Sequence, residues 1–277
     1  MSKATKHLRR ILLYTLIIAV CLATNLPLLS MLGTAFKPSG EVMANTSLFT
    51  GNPSLENFTK VAQKTSFPRA IANTCIIALF VVGFCVVFAS MAGFAVSRAR
   101  GKIFSGFTML LLILQMIPGI LVMIPLFSTL RALKLVDTHI SLVLIYISTN
   151  LPFGILTMKG FFDSIPTELD EAAMIDGASP YQTYWKIVFP TAIPGMISVA
   201  VYTLMSVWNE FTIANIFIQS TELQTLSVSL RQFQLQTTTD WGALSAAAAL
   251  ACIPAFLFLI VVQKYLISGM TSGAVKG

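Results

Sequence analysis

The sequence predicts an all-α, polytopic membrane protein, and three observations carry that prediction. Of its 277 residues 56% are apolar, only 10% are charged, and the mean hydropathy is +0.80. A soluble domain carries about 25% charged residues, so this chain has too little polar surface to cover a globule in water. That excludes a cytosolic enzyme and a disordered chain. The formal charge of +7 does not point to nucleic acid, because the 18 Lys and Arg are scattered between apolar blocks without a basic stripe or interleaved aromatics. Cys21, Cys75, Cys85 and Cys252 all fall inside apolar blocks, with no C-x-x-C pair and no His or Asp in ligand spacing. They are expected to be buried free thiols.

A spanning helix needs about 20 mostly apolar residues, since each rises ~1.5 Å through a hydrocarbon core ~30 Å thick. Six blocks meet that requirement: Ile11–Leu32, Ile71–Ser97, Phe104–Leu130, Ile140–Met158, Ala192–Ile218 and Ala243–Ile267. The first follows Lys3, Lys6, Arg9 and Arg10 but is too long for a signal-peptide core and lacks a clear cleavage site, so it is expected to stay as a helix. The outer loop that follows carries Ser54-Leu55-Glu56-Asn57-Phe58 and then Val61-Ala62, the spacing of a capped short interfacial helix. The third block contains Pro118 and Pro125, which predict bends, and the fourth is interrupted by Pro152 and Gly154. Short segments rich in Lys and Arg stay in the cytoplasm. The N-terminal tail and the tight loop Arg98-Ala99-Arg100-Gly101-Lys102 therefore face inside, as do both termini and the segment from Lys159 to Pro190. The last block runs from Ala243 to Ala251 almost entirely in small side chains, which suits tight helix contact.

The long inner segment reads Asp163-Ser164-Ile165-Pro166-Thr167-Glu168-Leu169-Asp170-Glu171-Ala172-Ala173-Met174-Ile175-Asp176-Gly177. Ser164 as cap, Pro166 in the first turn, acids near the positive end of the dipole and Gly177 as a left-handed stop spell a short helix. A second start follows with Ser179 as cap and Pro180 in the first turn. Tyr181, Tyr184, Trp185 and Val188 lie on one side before Pro190 closes it. Small Ala172 and Ala173 beside Gly177, with aromatics expected to face the cytoplasm, suit a knob that presses into a groove on another protein.

This inner segment resembles the inner-membrane permeases of binding-protein-dependent ABC importers, whose loop reads E-A-A, three residues, Gly, nine residues, Ile-x-Leu-Pro. Glu171, Ala172, Ala173, Gly177, Ile187 and Pro190 match in register, with Phe189 in place of the Leu. Further stretches are similar to the carbohydrate branch, in particular the six-span maltose-type subunit. They are Met116-Ile117-Pro118-Gly119 with Ile124-Pro125-Leu126, Trp208-Asn209-Glu210-Phe211, Thr239-Asp240-Trp241-Gly242, and the ending from Gly269 to Gly277. The resemblance implies an N-terminal segment, residues 1–70 (tail, first helix, outer loop), and a permease core, residues 71–277, with five spans and a coupling loop over 163–190. Glu171, Ala172, Ala173, Asp176, Gly177, Ile187 and Pro190 would then form the ATPase-coupling site. It also implies the partners: a second, non-identical permease, two ATPase subunits and an extracytoplasmic solute-binding protein, in the cytoplasmic membrane of a bacterium or archaeon. No G-x-x-x-x-G-K-[ST] phosphate loop occurs in the chain. It is thus expected to be a non-catalytic pore subunit without a cofactor of its own, with ATP and Mg on the ATPases.

Four polar residues inside apolar blocks are candidates for the translocation path: Gln115, Asn150, Asn209 and Glu210. A carboxylate near the bilayer centre costs about 2.5–3.5 kcal/mol on insertion scales, so Glu210 must face protein, water or the outer interface. The residues leave open whether it lines the path or is a hydrogen-bonded packing link. They also leave open whether the Pro-bearing segments near Gln115 and Asn150 meet cargo or only shape the bundle. Sugar or oligosaccharide cargo follows from the resemblance, with glycerol phosphate or a polyol as alternatives. The rival from another class is an ATPase-independent secondary transporter, which predicts broken-helix repeats in both halves.

Overall fold

The computed structural model describes residues 3–64, 66–99, 101–234 and 239–274, with side chains left out of account at 3–6, 8, 64 and 264–274. Arg100, Lys276 and the side chains of the 269–277 ending therefore lie outside the described residues. The elements in order are α1 (Lys3–Ala35), α2 (Glu56–Lys64), α3 (Phe67–Arg98), α4 (Lys102–Met116), α5 (Gly119–Ala132), α6 (His139–Asp163), α7 (Glu168–Ile175) and α8 (Pro180–Thr183). A π-helical turn (Tyr184–Val188) leads on to α9 (Phe189–Thr191), α10 (Ile193–Asn209), α11 (Thr212–Phe217), α12 (Leu226–Leu230) and α13 (Trp241–Ala274). Among the described residues there is no strand, only one isolated bridge between Gln234 and Thr239. Four helices are long and apolar enough to cross a membrane: Arg9–Ala35, Phe67–Arg98, His139–Asp163 and Trp241–Gln263. Two bent pairs, α4 with α5 and Pro180–Thr191 with α10, raise the number to six if each is one span.

The chain divides into two compact units, Met1–Phe67 with Leu230–Pro254, and Pro68–Ser229 with Ala255–Gly277. In the first unit the outer loop is built on polar contacts. Asn57, fully buried in α2, donates through Nδ2 to the carbonyls of Ala35 and Lys37 (3.1 and 2.8 Å), and so ties the short helix to the end of α1. Ser54 Oγ accepts from Glu56 N at 3.1 Å, the expected cap. Ser39 donates to Glu56 from both its hydroxyl and its amide, and Lys60 lies 3.2 Å from the same carboxylate. These groups hold the pKa of Glu56 down to about 2. The first half of α13 buries Ala243, Ala246, Ala247 and Ala251, the small-residue face expected for close packing.

In the second unit α6 is the central rod, packed on both α10 and α4. Leu142, Ile145 and Tyr146 join a core with Ile77, Val81 and Phe217, while Ile155, Met158 and Phe162 join another with Ala89, Val188 and Val199. Backbones approach closely here. A Cβ on Gly93 of α3 would sit 2.6 Å from Met158 Cβ and 2.9 Å from Lys159 N, so glycine is what lets α3 and α6 touch.

Several elements depart from the sequence expectation. The third block bends at Pro118 as expected, by 94°, because Ile117 is extended (φ −73°, ψ 121°) where it precedes the proline, but α5 runs on through Pro125. The fourth is not interrupted. α6 runs through Pro152, and Ser148, Thr149 and Asn150 just before it bond back onto the carbonyls of Ile145 and Tyr146. The fifth ends at Asn209, and Glu210 is extended (φ −72°, ψ 124°) before α11 begins. Ser164 does not cap α7; it closes α6, its amide donating to Phe161 O, and Thr167 stands at the cap without a side-chain bond. Pro190 stands in the last turn of the helix that Ser179 caps, which runs one residue further, to Thr191, before a 70° bend. Cys85 is buried, but Cys21 and Cys75 are exposed on apolar helix faces.

The contact at Gly93 is testable. Gly93→Ala is expected to lose about 1–3 kcal/mol of stability through overpacking. Gly106→Ala, inside α4 with an added methyl that meets nothing within 4 Å, should instead gain about 0.5–1 kcal/mol from helix propensity. Thermal unfolding in mild detergent checks both, and equal midpoints would refute the close approach.

Candidate functional site

The loop between α6 and α10 is built around α7. Glu168, Asp170 and Glu171 crowd its first turn, where the partial positive charge of the helix end favours them. Its last turn closes with Gly177 N donating to Met174 O (3.1 Å) and Ala178 N to Ala173 O (3.0 Å). This paired closure needs a left-handed residue, and Gly177 has φ +85°. A Cβ there would meet nothing within 4 Å, so the requirement is on the backbone and not on space.

The helix has two faces. Ala173 and Asp170 turn inward and are buried, whereas Glu171, Ala172, Asp176 and Gly177 are exposed. Leu169, Met174, Ile175 and Tyr181 add exposed apolar surface, with Ile175 86% accessible. The acidic and apolar groups thus form one outward patch. Ile187 and Pro190 do not join it; they belong to the second helix of the loop, half-buried and exposed respectively. That helix opens with a complete capping box, Ser179 N donating to Gln182 Oε1 (2.9 Å) and Gln182 N to Ser179 Oγ (3.3 Å). Of the aromatics expected to be exposed, only Tyr181 is. Tyr184 is buried with its hydroxyl 2.8 Å from Ser90 Oγ, and its ring lies against Phe94, Trp185 and Phe189.

One residue of this site escaped the sequence reading. Arg98, the last residue of α3, donates through Nε to Asp170 Oδ2 at 2.5 Å and through its other nitrogens to the carbonyls of Phe162 (2.9 Å) and Ile165 (3.2 Å). Both side chains are largely buried, 16% and 11% accessible, and the guanidinium lies over the Phe94 ring at 5.7 Å. Asp170 Oδ1 is buried without a partner. Breaking such a pair from one side leaves an uncompensated charge, at a cost of about 3–5 kcal/mol. Arg98 read as one of several loop cations because its partner is 72 positions away.

The four path candidates are not brought together. Gln115 lines a cavity of about 500 Å³ with Val122, Ser148, Thr149, Phe153 and Tyr202. The Phe153 and Tyr202 rings stack at 3.8 Å. Asn150 is buried beside it, donating to Tyr146 O at 2.8 Å. Asn209 is exposed at the end of α10, donating to Met205 O at 2.8 Å. Glu210 sits between α10 and α11 and accepts from Ile213 N (2.7 Å), Ala214 N (3.0 Å) and the Tyr146 hydroxyl (2.7 Å). Its own carbonyl accepts from Ser227 Oγ. The carboxylate therefore caps α11 and ties it to α6.

Comparison with known proteins places this architecture. A family model described as binding-protein-dependent transport system inner membrane component matches residues 85–272. The chain is 33% identical over 252 residues to the diacetylchitobiose uptake system permease protein DasC of Streptomyces coelicolor, covering 91% of each. It is 31% identical over 274 residues to the melibiose/raffinose/stachyose import permease protein MelC of Bacillus subtilis, covering 99% of this chain and 98% of that one. In fold it is similar to a chain of a bacterial ABC transporter involved in the import of alginate, with a TM-score of 0.82, 21% identity and coverage of 96% and 99%. With the helical membrane architecture and the loop around α7 described above, these matches make the chain a member of the binding-protein-dependent ABC transport permeases, an inner membrane component of such a system.

Proposed function

We propose that this chain forms half of the translocation pathway of an ATP-driven importer for a sugar or oligosaccharide, and that α7 is its coupling helix. The observation that carries the reading is the outward patch of α7. Its acidic and apolar residues are exposed together on a helix whose stop is fixed by Gly177, and exposed apolar groups of that kind mark a docking surface. Glu171, Ala172, Ala173, Asp176 and Gly177 form the knob, and Ile187 and Pro190 hold the base of the loop. One of two ATPase subunits carrying ATP and Mg docks there, a second, non-identical permease completes the pore, and an extracytoplasmic solute-binding protein delivers cargo. This chain is non-catalytic, both termini are cytoplasmic, and residues 71–277 act as the permease core behind the 1–70 segment of tail, helix and outer loop.

Cargo is read from two directions. Relatives are named for uptake of diacetylchitobiose and of melibiose, raffinose and stachyose. The cavity beside Gln115 offers an amide, two hydroxyls and stacked aromatic rings with no cationic group, a lining that suits a neutral saccharide better than a glycerol phosphate. Gln115 meets the cargo, while Asn150, Asn209 and Glu210 shape the path around it.

The test is the purified complex with its partners in vesicles, its binding protein first screened against neutral saccharides for the one it holds. Gly177→Asp and Glu171→Lys are each expected to abolish ATP-coupled uptake while the chain remains inserted. Normal uptake by either variant at normal expression would overturn the coupling assignment. Glu210→Gln should leave the complex assembled but lower its unfolding midpoint and its uptake. The amide nitrogen cannot accept, so at least one of the donors it served loses its partner, a loss of about 1–3 kcal/mol. Wild-type stability and uptake in that variant would show that the three hydrogen bonds do not matter.

A further inference from the structure

The two adjacent acids of α7 have opposite surroundings. The Glu171 carboxylate is exposed and makes no hydrogen bond or ion pair among the described residues, while Asp170 is buried against Arg98. Arg98 ends α3, a helix of 32 residues. Its guanidinium also takes the carbonyl of Phe162, in the last turn of α6, and that of Ile165, in the link to α7. A single side chain therefore fastens the inner end of one span, the inner end of another and the first turn of α7. Neighbouring bonds stiffen the same joint. Ser97 Oγ donates to Asp163 Oδ1 (2.7 Å), and Lys159 Nζ donates to Asp163 Oδ2 at 2.5 Å.

We propose that Arg98 and Asp170 are a positioning pair that makes α7 and the inner ends of α3 and α6 move as one body, so that displacement of α7 is delivered to two spans at once. The inference rests on the coupling role of α7 argued above, and assigns the transmission to residues outside the E-A-A stretch. The physical basis is that a largely buried, charge-assisted contact is strong and has a steep distance dependence. Without it, α7 keeps its link to α6 and its packing on α8 and the π-helical turn but loses its tie to the end of α3. Arg98 and Asp170 leave Glu171 free to meet the partner.

The experiment uses the whole complex, with Cys21, Cys75, Cys85 and Cys252 replaced by Ala and spin labels on cysteines placed at Ala99 and Thr167. In the chain with an intact pair, the label-to-label distance should be the same with and without ATP. A distance that shifts on ATP binding would overturn the proposal directly. Arg98→Met should make that distance broad and nucleotide-dependent. As a second readout, Asp170→Asn keeps the size of the side chain but removes its charge. Saccharide moved per ATP hydrolysed should fall about ten-fold in the assembled complex, within the range of ordinary coupling free energies. Asp170→Glu should recover part of it, and a wild-type ratio in Asp170→Asn would sink the idea. Glu171→Lys, measured in the same vesicles, separates the two readings. If it alone loses uptake, the pair has no transmitting role but the coupling assignment stands; if it also keeps uptake, the coupling assignment falls.

Discussion

A polypeptide in hydrocarbon has no water to satisfy the peptide groups that a broken helix exposes, and each unsatisfied group costs several kcal/mol. The structure depends on how that constraint is met where its helices stop. At the junction of α10 and α11 it is met by Glu210, whose carboxylate accepts two amides of α11 and the Tyr146 hydroxyl. At Pro152 the missing N–H leaves the Ser148 carbonyl without its helical donor, and the side chains of Ser148, Thr149 and Asn150 bond to the carbonyls of Ile145 and Tyr146 one turn earlier. The polar residues that invite a reading as ligand contacts are first of all engaged with backbone. Only Gln115, Ser148 and Thr149 both occur in such a segment and line the cavity.

At the inner end the constraint changes, because water is close and a partner protein is expected. There the acids of α7 divide according to what faces them. Asp170 is withdrawn from solvent by Arg98, which also donates to the Phe162 carbonyl at the end of α6, where Ile165 N donates as well. Glu171, one position on, is rotated away from the Arg98 guanidinium and exposed, at the rim of the cleft that Arg98 and Asp170 line. A helical step of about 100° per residue, from 3.6 residues per turn, is enough to make one carboxylate structural and its neighbour available for docking.

Local chemistry was legible and distant pairing was not. Gly177 as a left-handed stop, Ser179 with Pro180 as a helix start and Ser54 as a cap are determined by residues within a few positions of each other, and each occurs as expected. The spans follow from apolar length, which composition states outright. The failures share a cause. Ser164 and Thr167 are both eligible caps, and which of them stands at the start of α7 depends on where α6 ends. Tyr184 carries no sign in its own neighbourhood that Ser90 and Phe94 will bury it. The 94° break at Pro118 and the unbroken helix at Pro152 place the same residue type in two outcomes. The difference lies in the preceding residue, extended Ile117 in one and helical Leu151 in the other. Arg98 has its partner 72 residues away, so only the fold could promote it from loop charge to clamp.

The continuity of α6 ties these features together. Its 25 residues rise about 38 Å at 1.5 Å each, enough to cross the hydrocarbon core in one rod. Toward one end Tyr146 holds Glu210 and hence α11; at its middle Ser148, Thr149 and Phe153 line the cavity; at the other end Phe162 holds Arg98 and, through it, α7. Bent as the sequence suggested, α6 would have separated these attachments into two pieces free to move apart. Unbroken, it makes the position of α11 and the wall of the cavity functions of the position of its inner end. A rod of this kind needs no special wire of residues along its length to connect the two membrane faces; it needs only to be fastened at both ends, which is what Glu210 and Arg98 do.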